Sequence, residues 1–191
     1  MTKAAPSLRK KEKKIALGFL VYDNFYATII ENILKHYFAE KIQCLVISTS
    51  SRTSLYAAFI TVRTFLDNKF DHVFIIFNFN AADEDEENID DLLSIFGEPL
   101  KQNHLDRQAT LLPIEPPMDL WLLSYFENID NKKTLPSTEI KKALNAYMTE
   151  QDILSSKAFE KIDFNVLRTK NKDFDLFLTK IEEKIKKYSK K

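Results

Sequence analysis

Glycine is scarce in this sequence, because only Gly18 and Gly97 occur among the 191 residues. Phosphate-binding loops need several glycines, since their backbone adopts positive φ angles and lies directly against the phosphate. Neither GxGxxG nor GxxxxGK followed by Ser or Thr is present. The scarcity of glycine therefore argues against the glycine-rich nucleotide-binding classes.

Cysteine pairs and closely spaced histidines are also missing. The single cysteine, Cys44, excludes a disulfide within this sequence and a cysteine-rich zinc site. It lies in the apolar run 42–47, so we predict that it is a small buried core residue. The histidines at positions 36, 72 and 104 show no metal-ligand spacing. We interpret them as surface or hydrogen-bonded residues and not as ligands.

No apolar run reaches the length of about 18 residues that a membrane span requires, so no membrane association is predicted. The basic N-terminal segment is not followed by an apolar stretch with a small-residue cleavage site. We therefore expect no secretory signal and a cytoplasmic location.

Charge of one sign is not in excess, because 28 Lys and Arg residues balance 28 Asp and Glu residues. A zero balance provides no overall attraction towards nucleic acid. The two ends, Lys3–Lys14 and Lys180–Lys191, are nevertheless basic. They either contact phosphates locally or act as solvated tails, as blocks of like charge usually do. The candidate nucleic-acid contacts are Lys10, Lys11, Lys13 and Lys14.

Four apolar segments of strand length alternate with amphipathic segments of helix length between residues 15 and 127. The strand segments lack polar alternation, which is typical of strands buried on both faces of a parallel sheet. We therefore predict an α/β fold with a mostly parallel central sheet and flanking helices. The predicted strands are Ile15–Val21, Ile42–Ser48, His72–Phe79 and Ala109–Ile114.

The remainder of the sequence divides into two further parts. Residues 1–14 are predicted to be a flexible basic tail, and residues 128–191 a helical C-terminal lobe packed on the core at 15–127. Its last helix has an apolar stripe at the three-and-four spacing of one helix face. That stripe consists of Phe174, Phe177, Leu178, Ile181 and Ile185.

Candidate site residues follow the predicted strands, because ligands of open α/β sheets bind beyond the carboxyl ends of the strands. The first strand leads into Asp23 and Tyr26. After the third, Asn78 and Asn80 point to one side and either bind a cation or cap the strand end. The acidic run 83–87 is either a Mg²⁺ or Ca²⁺ site or a solvated loop before a helix N-terminus.

The fourth strand leads into Glu115 and Asp119, which are followed by Trp121. Carboxylates at this position add to the acids available for a hard cation. Trp121 lies in a helix rich in Leu and Phe, so we predict a core residue and not a surface for base stacking.

Three segments at these strand ends are Leu20–Tyr26, Phe77–Asn80 and Pro116–Ser124. Together with the strand order they resemble Toprim-like domains, the fold shared by topoisomerases, primases and overcoming-lysogenization-defect nucleases. They are most similar to a small uncharacterised bacterial branch related to those nucleases. In that branch the first strand ends in Glu-Gly with an Asp shortly after, the third in Asp-x-Asp, and a later segment contains Glu-Ala-Trp-Leu-Leu. The resemblance covers residues 15–185.

The acidic positions of that family are mostly neutral here. In active members the carboxylates hold Mg²⁺, which polarises a phosphoryl group and activates a nucleophile. The resemblance therefore implies a catalytically silent relative without a cofactor, with Mg²⁺ expected only if activity survives. The family's Glu, Gly, Asp and two Asp-x-Asp acids fall on Tyr22, Asp23, Tyr26, Asn78 and Asn80, whereas Asp119 retains an acid where the family has Glu.

Three functions follow from these observations. The resemblance implies a degenerate, protein-binding component of a bacterial phage-defence or DNA-processing module, with an ATPase as partner. The second function is a Mg²⁺-dependent nuclease with a rearranged metal site. The third is a non-catalytic nucleic-acid binder that uses the basic ends and weakens steeply with salt. The carboxylates available for the rearranged site are Asp23, Asp83, Asp85, Glu115 and Asp119.

Overall fold

The computed structural model describes residues 14–49, 55–78, 89–127 and 135–190. Its strands are β1 (Ile15–Tyr22), β2 (Ile42–Thr49), β3 (His72–Asn78) and β4 (Ala109–Ile114). They form a parallel sheet with the order β2-β1-β3-β4. The predicted α/β class with a parallel central sheet and C-terminal helices is therefore confirmed.

Helices connect the strands and continue after the last one. None of the helices among the described residues is long and apolar enough to cross a bilayer. A 3-10 helix, Lys157–Lys161, lies between the sixth and seventh helices. The helices are α1 (Asn24–Phe38), α2 (Leu55–Asp67), α3 (Ile89–Gln102), α4 (Met118–Phe126), α5 (Ser137–Leu144), α6 (Glu150–Leu154), α7 (Phe164–Lys170) and α8 (Lys172–Ser189).

The helices cover both faces of the sheet. Side chains alternate along β1, so that Phe19 joins one core cluster with α1 and α4, whereas Leu20 joins another with α2 and α3. In β3, Phe74 and Ile75 divide between the same two clusters. The two central strands are consequently buried almost throughout, as their unbroken apolar runs predict.

β2 departs from the prediction of a fully buried strand. It pairs with β1 on one side and lies at the sheet edge, where Leu45 and Ile47 are 47% and 37% exposed. Cys44 is half-buried, so the prediction of a buried core cysteine is wrong. Leu45 and Ile47 are exposed because α2 packs against β1 and β3 and leaves its side of β2 open. Cys44 points to the other face, where it packs against the cluster that contains α1 but stays partly accessible.

Gly18 allows α2 to lie close to β1. A Cβ atom at this position would lie 2.6 to 2.9 Å from ring atoms of Phe65, closer than carbon atoms tolerate. Phe65 itself is buried in the cluster below α2. One of the two glycines therefore sets the distance between this helix and the sheet.

The C-terminal helices share the core of the sheet. Phe174 and Phe177 of α8 pack with their ring centroids 5.5 and 5.4 Å from that of Trp121 in α4. All three belong to the cluster that contains Phe19 of β1. The prediction that Trp121 is a core residue is confirmed, while the boundaries proposed at 14/15 and 127/128 stay predictions.

His72 connects the start of β3 to α8. Its side chain is fully buried, and Nε2 lies 2.8 Å from the Thr110 hydroxyl, while Nδ1 lies 3.2 Å from the Tyr188 hydroxyl. Burial lowers the pKa of His72 to about 3, with further lowering from Lys184 and Lys187. This histidine is hydrogen-bonded within the fold, as predicted.

Candidate functional site

The strand order creates a crevice at the carboxyl edge of the sheet. β1 leads through α1 to β2, whereas its neighbour β3 leads through α3 to β4 on the other side. Because α1 and α3 cover opposite faces, the connections that follow β1 and β3 leave the sheet towards opposite faces, which opens a gap between the two strand ends. Ligands of open α/β sheets bind at such a point. Asp23 and Asn78 flank it.

Asp23 follows β1 in a backbone conformation that favours glycine. Its φ is 88° and its ψ is 134°, and its side chain caps α1 by accepting a 2.7 Å hydrogen bond from the Phe25 N–H. Its own N–H donates to the Thr49 carbonyl at 3.0 Å. A non-glycine residue in such a conformation costs on the order of 1–3 kcal/mol.

Substitutions at Asp23 are expected to separate backbone strain from helix capping. Asp23→Gly loses the cap but relieves the strain, whereas Asp23→Ala loses the cap and retains the strain. We expect the glycine variant to be more stable than the alanine variant by roughly 2 kcal/mol in urea unfolding.

Asp163 provides the matched control, because it caps α7 from an ordinary φ of −82°. There the Gly and Ala variants differ only by their capping preferences, which favour Gly by about 0.5–1 kcal/mol. An Asp23 difference no larger than the Asp163 difference would contradict the strain at Asp23.

Asn78 is occupied by a structural hydrogen bond. Its Oδ1 accepts from the backbone N–H of Met118 at 2.8 Å, and the side chain is 6% exposed. The residue at the start of α4, Pro117, has no side-chain cap to offer. Asn78 therefore caps the N-terminus of α4 from a neighbouring strand, whereas the sequence predicted cation binding or capping of the strand end.

Tyr22 lies on the other face of the sheet. Its ring stacks on Phe77 with centroids 4.8 Å apart and meets Phe96 edge-on, within the cluster below α2 and α3. Burial raises the pKa of Tyr22 to about 12, and its hydroxyl finds no hydrogen-bond partner among the described residues. Tyr22 and Asn78 therefore do not converge on one site.

Tyr26 and Asp119 do meet, although 93 positions separate them in the sequence. The Tyr26 hydroxyl donates to Asp119 Oδ2 at 3.3 Å. Asp119 is 1% exposed, and no described residue forms a hydrogen bond with its Oδ1. Burial raises the pKa of Asp119 to about 6, against the lowering effects of Lys141 and of the Tyr26 hydrogen bond, while Asp23 raises it further.

A pocket of about 140 Å³ opens beside this pair, between the start of α1 and the helices α5 and α6. Its apolar walls are Phe25, Leu144, Met148 and Ile153. Its polar lining consists of Asp23, Tyr26, Lys141, Asn145 and Glu150. The structure therefore places a polar and charged pocket next to a buried carboxylate at the carboxyl edge of the sheet.

Comparisons of this chain with protein-family models, curated proteins and solved structures found no match. The site is therefore interpreted from its own geometry. Sequence reasoning identified Asp23, Tyr26 and Asp119 by their positions after strands. It missed Lys141 and Glu150, because they lie in the C-terminal region and no local motif marks them.

The remaining candidates are dispersed or lie outside the described residues. Glu115 is exposed after β4, and Lys14 is exposed with its ammonium donating to the Ala39 carbonyl. No group of three or more His, Cys, Asp or Glu side chains suited to a metal occurs within the described ranges. Outside those ranges lie Asn80, Asp83, Asp85, Lys10, Lys11 and Lys13.

Proposed function

We propose that this chain is a catalytically degenerate Toprim-like domain that acts by binding a protein partner. The supporting observation is that the described side chains at the positions of the family's acids already make contacts within the fold. Tyr22 stacks in the core, Asn78 caps α4, and Tyr26 donates to Asp119. Side chains held in this way bring no charge to a metal ion, which needs several carboxylate oxygens.

The setting we propose is a bacterial phage-defence or DNA-processing module in the cytoplasm, with an ATPase as the partner. This part of the proposal depends on the resemblance described above. It is supported by the glycine-like backbone of Asp23, which has the φ of 88° expected where that family has glycine. A chain that keeps the glycine-like conformation at Asp23 but lacks the family's acids fits a domain whose fold serves binding and not catalysis.

Cleavage and metal binding by the purified chain test the loss of activity. We expect no saturable Mg²⁺ or Mn²⁺ binding by calorimetry up to millimolar concentration. We also expect any residual cleavage of single- and double-stranded DNA or RNA to be identical in Asp119→Asn. Metal-dependent cleavage that Asp119→Asn abolishes would overturn the proposal and favour a rearranged nuclease site.

Reconstitution from purified components tests the partner. The chain is mixed with a purified candidate ATPase, and the mixture is resolved by size-exclusion chromatography with light scattering. We expect a complex of defined stoichiometry that survives high salt and nuclease treatment. A complex that dissolves on nuclease treatment would instead favour a nucleic-acid binder, whose affinity falls steeply with salt.

A further inference from the structure

The pocket beside Tyr26 has an excess of negative charge. Asp23 and Glu150 line it, and Asp119 lies behind the Tyr26 hydroxyl. Among the described residues that line the pocket, Lys141 is the one cation. Three carboxylates and one ammonium leave a net charge of −2 when all are ionised. Both Asp23 and Lys141 act electrostatically on Asp119, so these charges belong to one local field.

The walls of the pocket are suited to the apolar part of an organic ligand and not to a hydrated metal ion. Leu144, Met148 and Ile153 present aliphatic surface, and the rings of Phe25 and Tyr26 meet edge to face with centroids 5.2 Å apart. Aromatic faces attract organic cations through their quadrupoles. Mg²⁺ keeps several waters and needs carboxylates in octahedral positions, which apolar walls do not supply.

Asp119 is buried behind the pocket wall and does not line the pocket itself, so it acts on a ligand through its charge. Its Oδ1 is buried and forms no hydrogen bond with a described residue, whereas Oδ2 accepts from Tyr26. Buried polar atoms are nearly always paired, so an unpaired one in a native structure requires an explanation. A cation held at the Tyr26 hydroxyl, with Asp119 behind it, supplies compensating charge.

We propose that this pocket binds a small organic cation, an amine or guanidinium group on a short aliphatic stem. The head group lies near Tyr26, Glu150 and Asp119, and the stem lies against Leu144, Met148 and Ile153. Lys141 competes with the ligand for the same carboxylates. This inference stands apart from the proposed function, since it requires neither a Toprim relationship nor a protein partner.

Calorimetric titration of the full chain at pH 8 and low salt tests the inference, with n-butylammonium as the probe and 1-butanol as its neutral counterpart. We expect saturable binding of n-butylammonium and none of 1-butanol. Asp119→Asn is expected to weaken binding about tenfold, because the cation loses the attraction of a carboxylate that lies behind the Tyr26 hydroxyl. Lys141→Met is expected to tighten binding severalfold by removing the competing cation.

Asp106→Asn, on an exposed turn, is the matched control and should leave the dissociation constant unchanged. Equal binding of 1-butanol would overturn the proposal by reducing the site to an apolar cavity. Displacement of n-butylammonium by stoichiometric Mg²⁺ would overturn it in favour of a metal site. Unchanged affinity in both Asp119→Asn and Lys141→Met would overturn the proposal by showing that these charges do not contribute to binding. None of these results depends on cleavage or on a partner, so failure here leaves the proposed function to its own tests.

Discussion

Asp119→Asn is expected to stabilise the protein by about 3 kcal/mol at pH 8. Burial raises the pKa of Asp119 from 3.8 to about 6, and a tenfold change in a proton-binding constant corresponds to about 1.4 kcal/mol. A raised folded-state pKa means that the native protein holds the proton more tightly than the unfolded chain. Protonation of Asp119 therefore stabilises the native protein fully below about pH 4, and this stabilisation is lost as the pH rises through 6. Above that pH the native protein contains a buried, charged carboxylate.

Urea unfolding at pH 8 and pH 4 measures this effect. The gain from Asp119→Asn should be present at pH 8 and nearly absent at pH 4, where the carboxyl group is largely protonated in the native protein. Asp106→Asn, on the surface, should change stability by less than about 0.5 kcal/mol at either pH. A destabilised Asp119→Asn protein at pH 8 would show that the carboxylate is compensated within the fold. Buried carboxylates with strongly shifted pKa values cluster at functional sites. A measured penalty for the charged Asp119 would therefore support a functional role for this part of the molecule.

Acid is expected to destabilise the protein through His72. Its pKa in the folded state is about 3, against 6.5 for the unperturbed side chain, because burial disfavours the charged ring. Between these values the unfolded chain binds a proton that the native protein does not. Stability from His72 is therefore complete above pH 6.5 and falls by about 1.4 kcal/mol for each pH unit below it.

The measurement is the free energy of unfolding at pH 7, 6 and 5 in wild type and His72→Gln. The glutamine variant is less stable at pH 7, since its side chain does not reproduce both ring hydrogen bonds, but its stability should fall less steeply with acid. His104→Asn, at an exposed turn with a φ of 57°, should keep the wild-type slope. Parallel pH profiles for wild type and His72→Gln would contradict the assignment.

Local patterns were sufficient to predict the sheet and most helix positions. The apolar runs of β1 and β3 indicate burial on both faces, and the stripe of α8 indicates one buried face. The same reasoning failed for β2, because the apolar run 44–47 shows no polar alternation, although Gln43, Ser48 and Thr49 flank it. Exposure of β2 depends on its place in the strand order and on where α2 packs, and both are long-range properties.

The candidate site was predicted only in part, for a similar reason. The rule that sites follow strand ends identifies Asp23, Tyr26 and Asp119 separately. It does not indicate that Tyr26 reaches Asp119, since that contact joins α1 to α4 across the core. Lys141 and Glu150 approach the same place only because α5 and α6 fold back over the end of the sheet.

The position of Trp121 gives the protein a built-in optical probe. It is the only tryptophan in the sequence, and it lies between the sheet and α8 against Phe174 and Phe177. Intrinsic fluorescence excited at the indole therefore reports on one junction and not on an average over the molecule. A red shift in its emission would signal that water has entered between α4 and α8, even while the strands remain paired.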